Sequence, residues 1–254
     1  MSTSRRGAFI VIEGLDRSGK STQADVMLDR LNASGISAKL MKFPDRTTAI
    51  GQMINAYLQS KADLDDHVIH LLFAANRWEL ASTITQTLES GTHVLCDRYS
   101  FSGIAFSASK SALKHKEAIP TPSSSDIPYT NPNLSYIWCR DPERGLPAPD
   151  LTLFLDISPE AASARGGYGE ERYEKAEMQA RVREVFGQIG NEMLSHNQNE
   201  DRSEPTKDGA QPRWVVIDAG NDKTTVSKDM WAHVEPLIAG VDSPIGRLWY
   251  SDDN

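Results

Sequence analysis

An α/β fold built on a parallel five-stranded sheet flanked by helices is what this sequence predicts, and three observations predict it. Five short runs, Phe9–Glu13, Ala38–Phe43, His93–Asp97, Leu151–Asp156 and Trp214–Asp218, are apolar over most of their length, as strands covered on both faces are. Helical patterns separate them, and strand–helix alternation implies parallel strands joined by crossover helices. Directly after the first run, Gly14-Leu15-Asp16-Arg17-Ser18-Gly19-Lys20-Ser21 fits G-x-x-x-x-G-K-[ST], the phosphate-loop pattern. The sheet is therefore expected to be of the P-loop NTPase type.

The elements follow in order. The first strand feeds the loop, and a helix-compatible segment, Ser21 to Leu31, leaves it. Helical patterns cover Ile50–Gln59 and Val68–Glu89, the latter with Ile69, Leu72, Phe73, Ala75, Leu80 and Ile84 as its apolar points. The third strand ends in Asp97-Arg98; helices at Glu174–Leu194 and Thr225–Ile238 follow the fourth and fifth strands. Ligands in such sheets bind beyond the carboxyl ends of the strands. The loop lies at one such end and Asp97-Arg98 at another. Two stretches break the alternation: 117–135, with Pro120, Pro122, Pro128, Pro132 and three consecutive serines, and the polar 196–213. Neither buries much apolar surface, so both read as surface insertions in a single domain spanning 1–254.

Composition narrows the function. The 254 residues carry a net charge of −8, which argues against a broad nucleic-acid surface. Any anion site must be a local cluster of arginines. The two cysteines, Cys96 and Cys139, suit a reducing compartment rather than a disulfide framework. No apolar run is long enough for a membrane span, and Met1–Gly7 has no apolar signal core. The expectation is a cytoplasmic protein, with the nucleus also open. The six histidines show no metal-ligand spacing with the cysteines and read as packing or surface residues.

The loop carries specific chemistry. Gly14 and Gly19 let the backbone curl so that successive N–H groups face phosphate oxygens. The following helix adds its N-terminal partial charge. Lys20 reaches the β- and γ-phosphates of a nucleotide, and Ser21 offers its hydroxyl to Mg²⁺. Asp97, at a strand end beside this loop, is the second expected Mg²⁺ ligand, through water. Phe73 and Arg77 lie four apart and share a helix face. An aromatic plane beside a donor fork can stack a base and bond its edge, although periodicity alone favours core packing for Phe73.

The string Glu13-Gly14-Leu15-Asp16-Arg17-Ser18-Gly19-Lys20-Ser21-Thr22-Gln23 resembles thymidylate kinase of the eukaryotic type. The resemblance continues in Phe43-Pro44-Asp45-Arg46, where the family usually has Glu at the third position, and in Phe73-Ala74-Ala75-Asn76-Arg77-Trp78. It continues further in Asp97-Arg98-Tyr99, in Arg165-Gly166-Gly167-Tyr168-Gly169-Glu170-Glu171-Arg172-Tyr173 and in Asp218-Ala219-Gly220-Asn221. It implies a nucleoside monophosphate kinase-like fold with a short lid. It also implies transfer of the γ-phosphoryl of ATP to dTMP, giving dTDP for dTTP biosynthesis, with Mg²⁺ as cofactor and a homodimer through the long helices. Neither nucleic acid nor a membrane is an expected partner.

By that resemblance Gly14, Asp16, Arg17, Ser18, Gly19, Lys20, Ser21, Thr22, Arg165 and Asn221 hold ATP, with Arg165 packing on adenine. Asp16, Phe43, Arg46, Phe73, Arg77, Arg98, Ser102, Phe106 and Tyr173 hold dTMP. Within that set Asp16 takes the 3′-hydroxyl, Arg46 and Arg98 the phosphate, Phe73 and Arg77 the thymine, and Tyr173 crowds the 2′ position. Arg17, Lys20, Asp97 and Arg98 are the catalytic set, Arg17 acting as an arginine finger from within the loop. The alternatives are a kinase acting on UMP or GMP, a GTP-binding switch, and a binder without turnover. The switch usually carries Asn-Lys-x-Asp, which Asn221-Asp222-Lys223 does not match. The binder is disfavoured by the intact Lys20, Ser21, Asp97 and Arg17.

Overall fold

The first strand, β1 (Phe9–Gly14), is buried at every position and pairs in parallel on both sides, with β3 (His93–Asp97) and β4 (Leu151–Asp156). β2 (Ala38–Lys42) adds outside β3, and β5 (Arg213–Asp218) outside β4. The sheet order is β2-β3-β1-β4-β5. In this computed structural model the described residues are 5–117, 134–165, 172–199 and 213–249. The chain reverses its direction of winding at β1, which makes the crevice above that strand the natural ligand position.

Helices cover both faces. α1 (Lys20–Ala33) follows the loop and α2 (Ala49–Leu58) follows β2. α3 (Asp66–Glu89) precedes β3, and α4 (Ser100–Glu117) follows it. α5 (Tyr136–Arg140) and α6 (Pro159–Ser163) are short; α7 (Ala176–Asn199) and α8 (Lys223–Val234) flank β5. Most starts have an oxygen cap: Thr48 accepts from Gly51 N at 3.0 Å, Asp65 from His67 N at 2.9 Å, Ser158 from Ala161 N at 3.2 Å. α1 is different. Its cap is Gly19, left-handed at φ 95°, with no side chain to satisfy the first-turn N–H groups. Those donors are left for a ligand.

The strands lie within a residue of expectation, and the differences elsewhere have local causes. The helix expected over Thr225–Ile238 ends at Val234 and tightens into a 3₁₀ turn at Glu235–Leu237, where Pro236 has no N–H to continue the ladder. α4 carries no clear helical signal, because serines and Gly103 dilute its apolar face. Gly103 is there for room: a Cβ would stand 2.4 Å from Arg77 Nη2. The stretch 117–135, expected to be a surface insertion, is trimmed at both ends. Glu117 closes α4, Leu134 is buried, and Ser135 caps α5 by accepting from Trp138 N. Residues 118–133 lie outside the described residues. α7 runs through Asn199, into the second expected insertion, and 200–212 also lie outside.

Both cysteines are free and buried. Burial pushes the Cys96 thiol well above its ordinary value and lifts Cys139 to about 12. His70 is wholly buried on α3, with its Nδ1 2.8 Å from Ser107 Oγ and its Nε2 2.9 Å from the Cys139 carbonyl. Burial, then the Arg77 charge, lowers it from 6.5 to about 4. His93 is lowered by burial as well. As pH falls through 6.5 the unfolded chain takes up these protons first, so stability falls towards pH 4. The unfolding free energy from urea titrations should drop by about 1–2 kcal/mol between pH 7.5 and pH 5 on account of His70. A folded His70→Gln variant should show a flatter slope over that window; an equal slope contradicts the assignment.

Candidate active site

The loop between β1 and α1 is shaped by close approach. A Cβ on Gly14 would lie 2.6 Å from the Leu155 carbonyl oxygen, so β4 leaves room there for backbone alone. Arg17 turns left-handed at φ 62°, and Arg98, after β3, at φ 68°. Such backbone in a non-glycine residue is uncommon and clusters at functional sites. Lys20 is buried within the loop; its ammonium donates to the Leu15 carbonyl and to Ser18 Oγ at 3.3 Å. Burial, then the Arg98 charge, draws it down to about 7, against the pull of Asp16, Asp97 and Glu13.

β3 delivers Asp97 to the same end of the sheet. Ser21 Oγ donates to Asp97 Oδ2 at 2.5 Å, and the Lys42 ammonium lies 3.5 Å from that oxygen. Asp97 Oδ1 is buried without a hydrogen-bond partner. An orphaned carboxylate oxygen beside a serine hydroxyl is a hard-oxygen donor set that fits Mg²⁺.

A cavity of about 320 Å³ opens beside the loop. Asp16, Phe43, Arg46, Phe73, Arg77, Arg98, Ser102, Phe106 and Tyr173 all line it, together with Arg17, Lys42 and Glu174. Five segments thus converge on one space. Arg98 makes contacts to several parts of the site. Its guanidinium donates to the Gly14 carbonyl and to Ser102 Oγ, each at 3.0 Å, pairs with Asp16, and lies 5.3 Å over the Phe106 ring. Arg46 donates to Asn55 Oδ1 at 2.9 Å. Arg77 is buried and forks onto the wholly buried Glu143, with Nε 2.8 Å from Oε2. Phe73 is half-buried: it packs on the core and also lines the cavity, a position compatible with both the core-packing and the base-stacking reading. Tyr173 stands between Phe106 and Tyr57, at ring separations of 5.6 and 6.2 Å.

On the other side of the loop Arg165 donates to the Arg17 carbonyl at 3.2 Å and to the Ala219 carbonyl at 2.5 Å. It joins the loop to the turn after β5. Asn221 is exposed on that turn, its amide 3.4 Å from the Asp218 carbonyl, and is not among the cavity residues. Thr22 is exposed on α1. The glycines expected in the lid, 166–171, lie outside the described residues.

Several residues that organise the site were not expected. Gln179 on α7 is buried and holds Asp16 twice: it accepts from Asp16 N at 3.0 Å and donates to Asp16 Oδ2 at 2.7 Å. Asn76 holds the turn after β2, accepting from Asp45 N at 2.8 Å and donating to the Asp45 carbonyl at 3.2 Å. Glu174 accepts from Arg17 Nε at 3.2 Å. A signal existed for Gln179. It continues the stripe of Val182, Phe186, Ile189 and Met193 on α7, and an amide on an otherwise apolar stripe needs buried partners.

Comparison with known proteins agrees with this geometry. The family model described as thymidylate kinase matches residues 12–122. A thymidylate kinase of Danio rerio is 40% identical over 246 residues, 96% of this chain and 98% of that protein. The chain belongs to the thymidylate kinase family. Within that family, a thymidylate kinase of Schizosaccharomyces pombe is 48% identical over 192 residues, 76% of this chain and 81% of its own. A solved thymidylate kinase structure from Candida albicans superposes with a TM-score of 0.74 at 37% identity, covering 96% of this chain and 99% of that one. The thymidylate kinase match at 12–122 takes in the loop, Arg46, Phe73, Arg77, Asp97, Arg98, Ser102 and Phe106.

The Arg77–Glu143 fork gives a stability test. Removing one member of a buried ion pair leaves the other charge uncompensated, which costs about 3–5 kcal/mol. Glu143→Gln should destabilise the chain towards the lower end of that range, since the amide retains one acceptor. Urea unfolding of the purified variant measures it, and a change under about 0.5 kcal/mol contradicts the pairing.

Proposed function

We propose that this chain is a thymidylate kinase, a single kinase domain with two insertions, that moves the γ-phosphoryl of ATP to dTMP. The observation that carries the reading is the cavity: all nine residues assigned to dTMP by resemblance line it, and it abuts the P-loop at Asp16 and Arg17. ATP lies along the loop, with its phosphates on the uncapped N–H groups of α1 and its adenine against Arg165 and the Asp218–Asn221 turn. Gly14, Ser18, Gly19 and Thr22 complete the cradle.

The acceptor sits with thymine between Phe73 and Arg77, its 3′-hydroxyl at Asp16, and its phosphate against Arg46 and Arg98. Ser102 supports Arg98 and Phe106 floors the base. An oxygen of the dTMP phosphate attacks the γ-phosphorus, the bond to the β–γ bridging oxygen breaks, and ADP leaves. There is little covalent work for the protein, which positions the groups and neutralises charge. Lys20, held at about 7 by burial, gains its full charge as anionic phosphates enter. Arg17 reaches the transferring group from the loop. Asp97 Oδ1 and Ser21 Oγ are the atoms that would hold Mg²⁺, which when bound neutralises phosphate charge.

The partner is a second copy. Val68, Leu71 and Trp78 form an exposed apolar stripe on α3, and Met53 is exposed on α2, which packs beside it. No helix among the described residues is long and apolar enough to cross a membrane. With two free thiols, a cytoplasmic enzyme is the reading, the nucleus remaining open.

The deciding experiment is ADP release with ATP, Mg²⁺ and a panel of dTMP, dUMP, UMP and GMP. dTMP should lead; the Candida albicans enzyme has broad substrate specificity, so dUMP is the informative second. A preference for UMP or GMP overturns the proposal. Arg17→Gly should lower kcat by about 10³-fold with a smaller effect on KM, and unchanged turnover removes Arg17 from the catalytic set. Leu71→Glu should yield a monomer in sedimentation velocity, whereas a variant that still sediments as a dimer places the interface elsewhere.

A further inference from the structure

Lys110 belongs to none of the motifs that mark the site. It lies on α4 one turn beyond Phe106, a cavity residue, and residues four apart share a helix face. Its side chain is only 18% exposed, unusual for lysine. The ammonium donates to the Tyr57 hydroxyl and pairs with the buried carboxylate of Asp66. It lies 5.0 Å from the Tyr57 ring centroid and 5.9 Å from that of Tyr173, within reach of a cation–π attraction.

Three other elements meet there. Tyr57 is wholly buried at the end of α2, and Asp66 opens α3. Arg172 fixes the chain just before Tyr173: its N–H donates to the Leu58 carbonyl at 3.2 Å, its Nε to the Tyr57 carbonyl at 3.1 Å, and its guanidinium lies 4.2 Å over the Tyr57 ring. The Tyr173 ring is thus set between Phe106, on the cavity side, and a wall made by Tyr57 and Lys110.

We propose that Lys110, locked by Asp66 and Tyr57, is a positioning residue for Tyr173 and thereby a determinant of the acceptor sugar. The inference rests on the reading of the cavity as the dTMP site. Removing the ammonium takes from the Asp66 carboxylate the positive charge that Lys110 supplies, and from the Tyr57 hydroxyl the hydrogen bond that Lys110 donates. Both then draw in water, the wall loosens, and the Tyr173 ring moves off the 2′ edge of the acceptor.

The test compares kcat/KM for dTMP and ribothymidine monophosphate in wild type, Lys110→Met, Lys110→Arg, Tyr173→Ala and the Lys110→Met/Tyr173→Ala double variant. Lys110→Met should lower the deoxy preference about 3- to 10-fold, part of the roughly 5- to 150-fold that one unpaired hydroxyl can confer. KM for dTMP should rise more than kcat falls. Lys110→Arg should restore most of the preference, and the double variant should match Tyr173→Ala. A wild-type ratio in Lys110→Met, or a further drop in the double variant, overturns the proposal. If Lys110→Met does not fold, Tyr57→Phe removes a single oxygen from the same wall; it should shift the ratio in the same direction, and an unchanged ratio overturns the proposal. A wild type inactive on dTMP refutes the acceptor reading and this inference with it, whereas an active wild type with an unmoved Lys110→Met ratio refutes this inference alone.

Discussion

Glu13 holds a carboxylate at the end of β1 with no exposure to solvent, and the geometry around it fixes the rest of the site. It accepts from Tyr99 N at 2.9 Å, from Ser102 N at 3.0 Å and from Ser102 Oγ. Burial pushes its pKa up; the Ser102 hydroxyl, the Arg98 charge and the two N–H groups pull it down. These donors come from Tyr99, just before α4, and from Ser102 in its first turn. The strand that carries the P-loop is thereby tied to the turn that carries Asp97 and Arg98. A buried acceptor of this kind is costly if any donor is lost, so the two turns keep one relative position. The left-handed Arg98 persists because its neighbours leave it no alternative.

From that fixed turn the polar groups form a chain across the cavity. Ser102 passes from Glu13 to Arg98, Arg98 to Asp16, Asp16 to Gln179, and Gln179 to the Tyr173 carbonyl at 3.0 Å. Each link is a hydrogen bond within the protein, so these groups hold one another in position, and fixed polar groups need little reorganisation. A local cluster of cations stands at this end of an acidic protein. Arg17, Lys42, Arg46 and Arg98 are gathered at one end of the sheet, while the charge of −8 belongs to the whole molecule.

Much of this was legible because it is local. Apolar runs bounded by turn residues gave strands to within a residue, and the P-loop with Asp97 identified the working end of the sheet. The cavity residues were legible only through several motifs taken together, since Phe73 alone reads as core. What escaped depends on distance in sequence. Arg77 and Glu143 are 66 residues apart, and Asp16 and Gln179 are 163 apart; no periodicity links such pairs. α4 escaped for a different reason. Its serines and Gly103 weaken the local helical signal, yet Gly103 is required by the approach of Arg77. Local preference was overridden by tertiary packing. The turn that carries Asn221 was legible as well; its side chain is exposed, with the amide 3.4 Å from the Asp218 carbonyl.

The two thiols have a practical consequence. Cys96 and Cys139 are the only cysteines in the chain, both are buried, and burial holds both protonated far above neutral pH. Thiol reagents act on the exposed thiolate. Burial and a raised pKa both slow reaction with maleimides, so the folded chain should label poorly under conditions that preserve its fold. A single cysteine placed on an exposed position of α8 becomes the main labelling point, so a fluorophore or spin label can be attached without first stripping the natural cysteines from the core.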